Sequence, residues 1–159
     1  MFVTRQADYA VRCALHLARE RERVVPRREI ARAVCAPGPF LAKILHRLLR
    51  ARIVESVRGV QGGFRLARPP AAISLLDVIE AIQGPQAANV CAIRPAACPL
   101  SRTCVIHPVW VELQARTETL LRGVSLASLA ARNRRPTARQ GARRPAPAVR
   151  QRARARARK

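Results

Sequence analysis

The stretch Ala36–Pro70, APGPFLAKILHRLLRARIVESVRGVQGGFRLARPP, decides the fold of this chain. Its first half carries apolar residues at helical spacing, which places them on one face: Leu41, Ile44, Leu45 and Leu48. Positively charged residues lie on the opposite face: Lys43, Arg47 and Arg50. The sequence therefore predicts a helix that has one face for burial and one face for contact with negative charge.

The second half of this stretch predicts a two-stranded ribbon. Ile53–Val57 and Phe64–Ala67 are short strand candidates, and the segment Arg58–Gly63 between them contains three glycines, which accept positive φ and let a backbone approach a partner closely. A basic helix followed by a ribbon with a basic tip is typical of a winged helix-turn-helix, in which the helix enters the major groove and the ribbon reaches a neighbouring groove. The alternative is a hairpin that packs on a solvated basic helix.

The net charge indicates a polyanionic partner. The 159 residues carry 31 Lys and Arg against 9 Asp and Glu, a formal charge of +22. Residues 132–159 contain 12 basic residues and no acidic one, so residues 1–131 still carry +10. Nucleic acid is the partner that such a balance favours. The tail from residue 132 onward has almost no large apolar residue and is predicted to be disordered; it either adds salt-dependent DNA affinity or serves as a solubilising segment.

Local signals predict the other helices. Thr4 can cap a helix over residues 5–20, with a buried stripe of Val11, Ala14, Leu15 and Ala18. Arg27–Val34 is a short helix that precedes the basic helix and completes a helix-turn-helix. Ser74 and Asp77 form a capping box for a helix that ends at Gly84-Pro85. The apolar face of that helix comprises Leu75, Val78, Ile79 and Ile82.

A longer helix is predicted from Pro108 to about Arg122. Apolar residues and one threonine recur at the alternating spacing of four and three that is typical of a coiled-coil seam. These positions are Ile106, Trp110, Leu113, Thr117 and Leu120. A core helix of the same domain and a two-fold dimer interface both fit this pattern.

Three cysteines and a histidine lie close together in the sequence before and at the start of this helix: Cys91, Cys98, Cys104 and His107. Thiolates select zinc, copper(I) or iron–sulfur clusters. The spacing is wider than the CxxC pairs typical of structural zinc, which favours a cluster. A zinc site, a thiol–disulfide pair and unconnected thiols remain open on spacing alone. We interpret the two other cysteines, Cys13 and Cys35, as inert.

Taken together, these motifs resemble the family of bacterial winged helix-turn-helix regulators that includes IscR, NsrR and RirA. The resemblance covers residues 1–130. It is carried by the opening Thr4–Arg12, by the wing Ser56–Pro70, by Ile73–Glu80, by the three loop cysteines and by His107–Trp110. The wing is the most specific match. The basic tail lies outside the resemblance.

The resemblance implies an iron–sulfur cluster, of the 2Fe–2S or the 4Fe–4S type, in each cysteine loop. Cys91, Cys98 and Cys104 match the family's cluster cysteines, although the first gap is one residue longer than in IscR and NsrR. His107 stands where IscR has a histidine ligand and is the favoured fourth ligand. Asp8, which stands where NsrR uses an aspartate from the other subunit, is the alternative.

The resemblance also implies a homodimer that binds a pseudo-palindromic operator in double-stranded DNA. The expected dimerisation residues are Ile106, Trp110, Leu113 and Leu120. The expected DNA contacts are Arg28, Pro39, Phe40, Lys43, Arg47, Arg58, Gly59 and Gln61, with Arg58 and Gly59 entering the minor groove. Ala42 replaces a glutamate that tunes site choice in IscR, so we do not expect the same operator.

We therefore expect a mainly α fold with a small β wing. The expected regions are a winged helix-turn-helix at 1–83, a cluster loop at 84–104, a dimerisation helix and closing helix at 105–131 and a disordered basic tail at 132–159. The expected function is cytoplasmic transcription regulation, with repression as the expected mode, under control of a cluster that senses iron, cluster status, redox state or nitric oxide. We expect no membrane partner and no small-molecule substrate.

Two other functions remain open, namely a thiol-switched regulator without a cluster and a non-specific nucleic-acid-binding protein. An enzyme is disfavoured, because His16, His46 and His107 are scattered and lack partners typical of a catalytic set.

Overall fold

The computed structural model describes residues 3–85 and 87–132; the predictions for residues 133–159 lie outside the described residues. Within those ranges the fold is mainly helical with one two-stranded antiparallel sheet, as the sequence predicts. The elements in chain order are α1 Arg5–Arg19, α2 Arg27–Val34, α3 Gly38–Arg50, β1 Val54–Val57, β2 Gly63–Leu66, α4 Leu75–Gln83, α5 Val90–Ile93, α6 His107–Gly123 and α7 Leu126–Arg132. Two short 3-10 turns lie at Pro70–Ala72 and Pro95–Ala97.

Helix α1 lies at the centre of the packing and contacts α2, α3, α4, α7 and β2. Its N-terminus is capped as predicted, since the Thr4 hydroxyl accepts from the amide of Ala7 at 3.2 Å. The predicted buried stripe is wrong in part, because Val11 and Leu15 are only half-buried. The fully buried positions are mostly small: Ala7, Ala10, Cys13, Ala14, Leu17 and Ala18. Small side chains let the surrounding elements approach α1 closely.

The helix-turn-helix and the wing follow the predictions closely. Helix α2 spans the predicted residues and ends at Cys35, which adopts a left-handed conformation with φ 52°. Helix α3 buries its predicted apolar face: Leu41, Ile44, Leu45 and Leu48. Strands β1 and β2 pair antiparallel with Glu55 opposite Arg65. The wing therefore follows α3 directly in the chain and belongs to the same domain.

The region after the wing returns to the core. The predicted capping box is present, with the Ser74 hydroxyl accepting from the Asp77 amide at 3.1 Å and the Asp77 carboxylate accepting from the Ser74 amide at 2.9 Å. Helix α7 packs against α1, and Leu126 is fully buried. The Leu126 amide donates to the carbonyl of Ile73 at 2.9 Å. The closing helix thus shares one core with the winged helix-turn-helix.

Helix α6 connects these parts and begins at His107, with Pro108 in its first turn as predicted. Of its residues only Gln114 is buried. Across residues 3–85 and 87–132, no helix combines the length and the hydropathy needed to cross a membrane.

Candidate nucleic-acid interface and cysteine loop

The exposed side of α3 presents the positive charge that the sequence predicts there. Lys43 and Pro39 are exposed, while the opposite face is buried in the core. The first turn of α3 contains no acidic residue. Because the N-terminus of a helix carries partial positive charge, this end of α3 is suited to phosphate oxygens.

Phe40 is fixed by an aromatic contact with α1. Its ring meets that of Tyr9 edge-on, with the ring centroids 5.5 Å apart and the planes at 80°. The guanidinium of Arg12 lies 6.0 Å from the centroid of the Tyr9 ring. Phe40 is half-buried, so only part of its ring is available for the predicted DNA contact.

The wing tip is an exposed turn held in place at its base. Arg58, Gly59 and Gln61 are all exposed, and Gly59 has φ 120°, which side-chain-bearing residues rarely adopt. At the base, Arg65 Nε donates to Glu55 Oε1 at 2.5 Å across the strand pair. This ion pair is about half exposed, and opposite charges facing each other across a strand pair stabilise it modestly.

Val60 at the same tip is a feature that sequence reasoning missed. Its side chain is completely exposed, at 109% of the reference area. An apolar residue at full exposure on a basic wing can make van der Waals contact with sugar or base atoms in a groove. The signal that could have found it is an apolar residue between two glycines, Gly59 and Gly62, at the tip of the predicted ribbon.

Arg28 is exposed on α2, next to an ion-pair network that joins α2 to the preceding turn. The Arg23 guanidinium donates to Glu20 Oε2 at 2.8 Å and to both carboxylate oxygens of Glu29. These hydrogen bonds lower the pKa of Glu29. The single positive charge of Arg23 thus offsets one of the two negative charges of Glu20 and Glu29.

Arg47, which the sequence predicts to contact DNA, has hydrogen-bond acceptors within the protein. Its Nη1 donates to the carbonyl of Ile82 at 2.5 Å and to Oε1 of Gln6 at 3.1 Å. Nη1 of this exposed side chain therefore has two acceptors within the protein. Sequence periodicity placed Arg47 on the basic face correctly but carried no signal for partners 35 and 41 residues away.

The cysteine loop contains more local structure than predicted. Residues Val90–Ile93 form a helical turn and Pro95–Ala97 a 3-10 turn, where the sequence predicted a plain loop. All three cysteines are free thiols, and Cys91 is buried while Cys98 and Cys104 are partly exposed. The Cys104 amide donates to the carbonyl of Leu100 at 2.8 Å, and the His107 amide donates to the carbonyl of Cys104 at 3.2 Å. These bonds join the loop to the start of α6.

The donor set is chemically suited to a soft metal centre but is not gathered around one point. Within the described ranges, no three His, Cys, Asp or Glu side chains lie close enough together to hold a metal ion. The Nδ1 atom of His107 is buried without a hydrogen-bond partner among the described residues. A buried ring nitrogen normally has a hydrogen-bond partner, so an unpaired one is a candidate metal ligand. Asp8 is exposed on α1 and pairs with Arg12 at 2.9 Å.

The two cysteines outside the loop differ sharply in environment. Cys13 is fully buried, and burial raises the pKa of its thiol to about 12. It therefore stays protonated and unreactive at neutral pH. Cys35 is exposed at the turn between α2 and α3.

The predicted dimerisation residues are exposed or half-buried in the single chain. Ile106 is 47%, Leu113 46% and Leu120 67% exposed, and Trp110 is half-buried. Other apolar side chains exposed around this helix are Val105, Val109 and Val111. The buried Gln114 lies on the inner side, where its Oε1 accepts from the amide of Ala88 at 2.8 Å. One side of α6 thus packs on the loop and the other presents an apolar surface.

Comparison with known proteins agrees with this architecture. Residues 3–132 match the family Rrf2, described as iron-dependent transcriptional regulator. The chain is 32% identical over 130 residues to the HTH-type transcriptional regulator IscR of Aliivibrio salmonicida, which covers 81% of this chain and 77% of that protein. The solved structure of T. potens IscR matches with a TM-score of 0.70 at 27% identity, covering 89% of this chain and 94% of that one.

A second solved structure shows the same fold at lower identity. CymR, described as the global cysteine regulator of B. subtilis, matches with a TM-score of 0.68 at 22% identity, covering 83% of this chain and 98% of that one. The family match spans the winged helix-turn-helix, the cysteine loop and the long helix together. The chain belongs to the Rrf2 family of winged helix-turn-helix transcription regulators and is a DNA-binding regulator rather than an enzyme.

Proposed function

We propose that this chain is a homodimeric, cytoplasmic transcription regulator whose affinity for a pseudo-palindromic operator is controlled by an iron–sulfur cluster in the cysteine loop. The observation that carries the cluster part is the buried Nδ1 of His107, which has no partner among the described residues and follows three free loop thiols in the sequence. The family description, iron-dependent transcriptional regulator, supports the same conclusion.

The DNA-binding part rests on two exposed, basic elements. Lys43 and Pro39 on α3 would meet the major groove, and Arg58 and Gly59 on the wing would reach the neighbouring minor groove. Arg28 and Gln61 would contact the backbone at the two edges of this surface. The buried face of α3 anchors it to the core, so the reading surface is presented on a rigid support.

The dimer part rests on the apolar side of α6. Exposed leucine and isoleucine at heptad spacing are the surface that a second copy of the same helix would bury. A two-fold dimer would present two α3 helices to half-sites about one helical turn apart, which explains why a pseudo-palindromic operator is expected.

For the cluster, the proposed ligands are Cys91, Cys98, Cys104 and His107, with Asp8 as the alternative fourth ligand. A bound cluster would supply a centre whose redox state and integrity respond to iron, oxidants or nitric oxide. The three thiols would have to be deprotonated to bind it. Because the loop joins α4 to α6, drawing the thiols together would shift the loop against both helices, and hence the two reading surfaces against each other.

The test is purification without oxygen followed by spectroscopy and operator binding. We expect coloured protein with stoichiometric iron and sulfide, and charge-transfer absorption that is lost in Cys98→Ala. Cys35→Ala is the matched control, because Cys35 is an exposed thiol outside the loop, and it should retain the absorption. Operator affinity, measured by fluorescence anisotropy, should differ at least tenfold between the loaded protein and the protein stripped of metal. Colourless protein with tightly bound zinc would overturn the cluster part.

A second candidate is a thiol switch without a cluster, and the observation that favours it is the partial exposure of two free loop thiols, Cys98 and Cys104. In that case operator binding by iron-free protein would change on oxidation and be restored by a thiol reductant. Mass spectrometry would then identify a disulfide within the loop.

A further inference from the structure

A single side chain joins α3, the helix proposed to enter the major groove and called the recognition helix below, to the end of α4. The Nη1 atom of Arg47 donates to the backbone carbonyl of Ile82 at 2.5 Å and to Oε1 of Gln6 on α1 at 3.1 Å. One guanidinium nitrogen therefore connects three helices: α3, which carries it, α4 and α1. A residue with these partners does not have the same nitrogen available for a phosphate.

The acceptor on α4 is one that the fold itself leaves without an intrahelical partner. Helix α4 ends at Gln83, so the carbonyl of Ile82 belongs to its last turn, where no following helical amide is available. Carbonyls at this end carry partial negative charge and favour a cation. Ile82 is itself buried, which limits access of water to its backbone. Arg47 thus supplies a hydrogen bond to a carbonyl in the last turn of α4.

The end of α4 leads directly into the cysteine loop. Gly84 caps the helix with φ 78°, and its amide donates to the carbonyl of Glu80 at 2.9 Å. The amide of Ala88 then donates to the buried Gln114 of α6, and the buried Cys91 follows three residues later. Arg47 of α3 therefore bonds directly to the end of α4, and the chain that follows α4 bonds to α6 at Ala88.

The ends of α3 and α4 also leave room for movement beside this link. A surface hollow of about 400 Å³ is lined by residues of both helices, among them Arg47, Arg50 and Glu80. Because free volume adjoins the hydrogen bond, the end of α4 has space to move on that side.

We propose that Arg47 is a positioning residue rather than a DNA contact: it fixes the recognition helix against the end of α4 and transmits the state of the cysteine loop to that helix. The transmission half of this inference rests on the proposed function, whereas the positioning half does not. Lys43, one turn earlier on α3, is the natural reference, because it is exposed and lacks any hydrogen-bond or ion-pair partner within the described residues.

The test compares Arg47→Met with Lys43→Met in the full chain, since each loses one positive charge and keeps an apolar stem. Operator affinity is measured by anisotropy at several salt concentrations, for protein purified without oxygen and for the same protein stripped of metal. Lys43→Met should weaken both forms by the same factor and reduce the slope of log K against log salt by about one. Arg47→Met should leave that slope unchanged and bring the affinity ratio of the two forms, at least tenfold in the wild type, to within twofold.

Three results would overturn the inference: a salt slope reduced by about one in Arg47→Met, a preserved affinity ratio, or no effect at all. A merely structural role would weaken both forms equally and leave their ratio intact. If the loaded and metal-stripped wild-type proteins bind the operator with equal affinity, the proposed sensing fails. The salt dependence then tests the positioning role of Arg47 alone, because weaker operator binding by Arg47→Met at an unchanged salt slope supports it.

A second variant keeps the inference testable if Arg47→Met does not fold. Gln6→Ala removes the acceptor on α1 while leaving α3 and its charge intact. It should reduce the ratio of operator affinities between the loaded and metal-stripped proteins at least threefold, at an unchanged salt slope. If the two wild-type forms bind equally, Gln6→Ala should instead weaken operator binding, again at an unchanged salt slope. An affinity and a ratio equal to those of the wild type would contradict the positioning role.

Discussion

Val25 and Phe64 exchange two backbone hydrogen bonds, one in each direction. The Val25 amide donates to the Phe64 carbonyl at 2.8 Å, and the Phe64 amide donates to the Val25 carbonyl at 2.9 Å. Val25 lies between α1 and α2, and Phe64 lies in β2. These two bonds join the wing to the segment that leads into α2, so they restrict movement of the wing relative to the helix-turn-helix.

The close approach at this bridge predicts that Gly63→Ala is damaging. A Cβ atom at Gly63 would lie 2.3 Å from the Val25 carbonyl oxygen, a backbone atom that cannot move aside cheaply. We expect a loss of roughly 2–3 kcal/mol in the free energy of unfolding, measured by urea denaturation, together with weaker operator binding. Gly38→Ala is the control, because a Cβ there meets no atom within 4 Å, and it should unfold at the wild-type urea concentration or above. Equal stability of the two variants would contradict the prediction.

The apolar side of α6 predicts that Leu113→Lys yields a monomer. Burying a leucine side chain contributes about 2 kcal/mol, and a two-fold interface buries this leucine once from each subunit. The free energy of dimerisation should therefore become less favourable by roughly 4 kcal/mol, which raises the dissociation constant about a thousandfold. Analytical ultracentrifugation at micromolar concentration measures this directly. Thr119→Lys adds the same charge at an exposed position off the seam and should remain dimeric. A dimeric Leu113→Lys protein would place the interface elsewhere.

The buried thiol of Cys13 predicts a loss of stability at alkaline pH. Its pKa is about 12 in the folded chain against an ordinary value of 9.0. Between these values the unfolded chain releases a proton that the folded chain keeps, so the free energy of unfolding falls as pH rises. By pH 10.5 this contribution should reach roughly 2 kcal/mol.

Other groups also titrate in this range, so the measurement is the difference between wild type and Cys13→Ala. Urea denaturation of both proteins at pH 8 and pH 10.5 should show the steeper decline in the wild type. Parallel declines would mean that the thiol becomes accessible before global unfolding.

The capping box of α4 predicts a moderate cost for Ser74→Ala. This change removes the acceptor of the Asp77 amide, and loss of an N-cap side chain typically costs about 1 kcal/mol. Ser74→Thr keeps a hydroxyl at the cap and should recover most of the stability in urea denaturation. An equal loss in both variants would point to packing around Ser74 rather than to the hydrogen bond.

The recognition helix and the wing could be predicted because their signals are local. The spacing of Leu41, Ile44, Leu45 and Leu48 defines the buried face of α3 whatever surrounds it, and the glycines after Arg58 indicate the turn between two strands. The capping residues Thr4 and Ser74 were likewise predictable, since each bonds to an amide three residues away.

Other features depended on the tertiary environment. The prediction for α1 chose the larger residues Val11 and Leu15, whereas the surrounding elements bury the small face that includes Ala7 and Ala10. The acceptors of Arg47 lie far away in the sequence, so its charge alone suggested solvent or DNA. The ligand roles assigned to the loop cysteines stay predictions, since spacing does not determine how three thiols are arranged in space.

The packing of α7 in the core determines which truncated fragments of this protein can be stable. Leu126 is buried beneath α1, and its amide completes a hydrogen bond with Ile73, so a fragment that stops after the wing or after the cysteines would leave a hole in its own interior. A fusion of residues 1–83 alone to the sensor domain of another protein would therefore lack part of the core of the winged helix-turn-helix. A fragment intended for exchange should therefore include α7, which ends at Arg132.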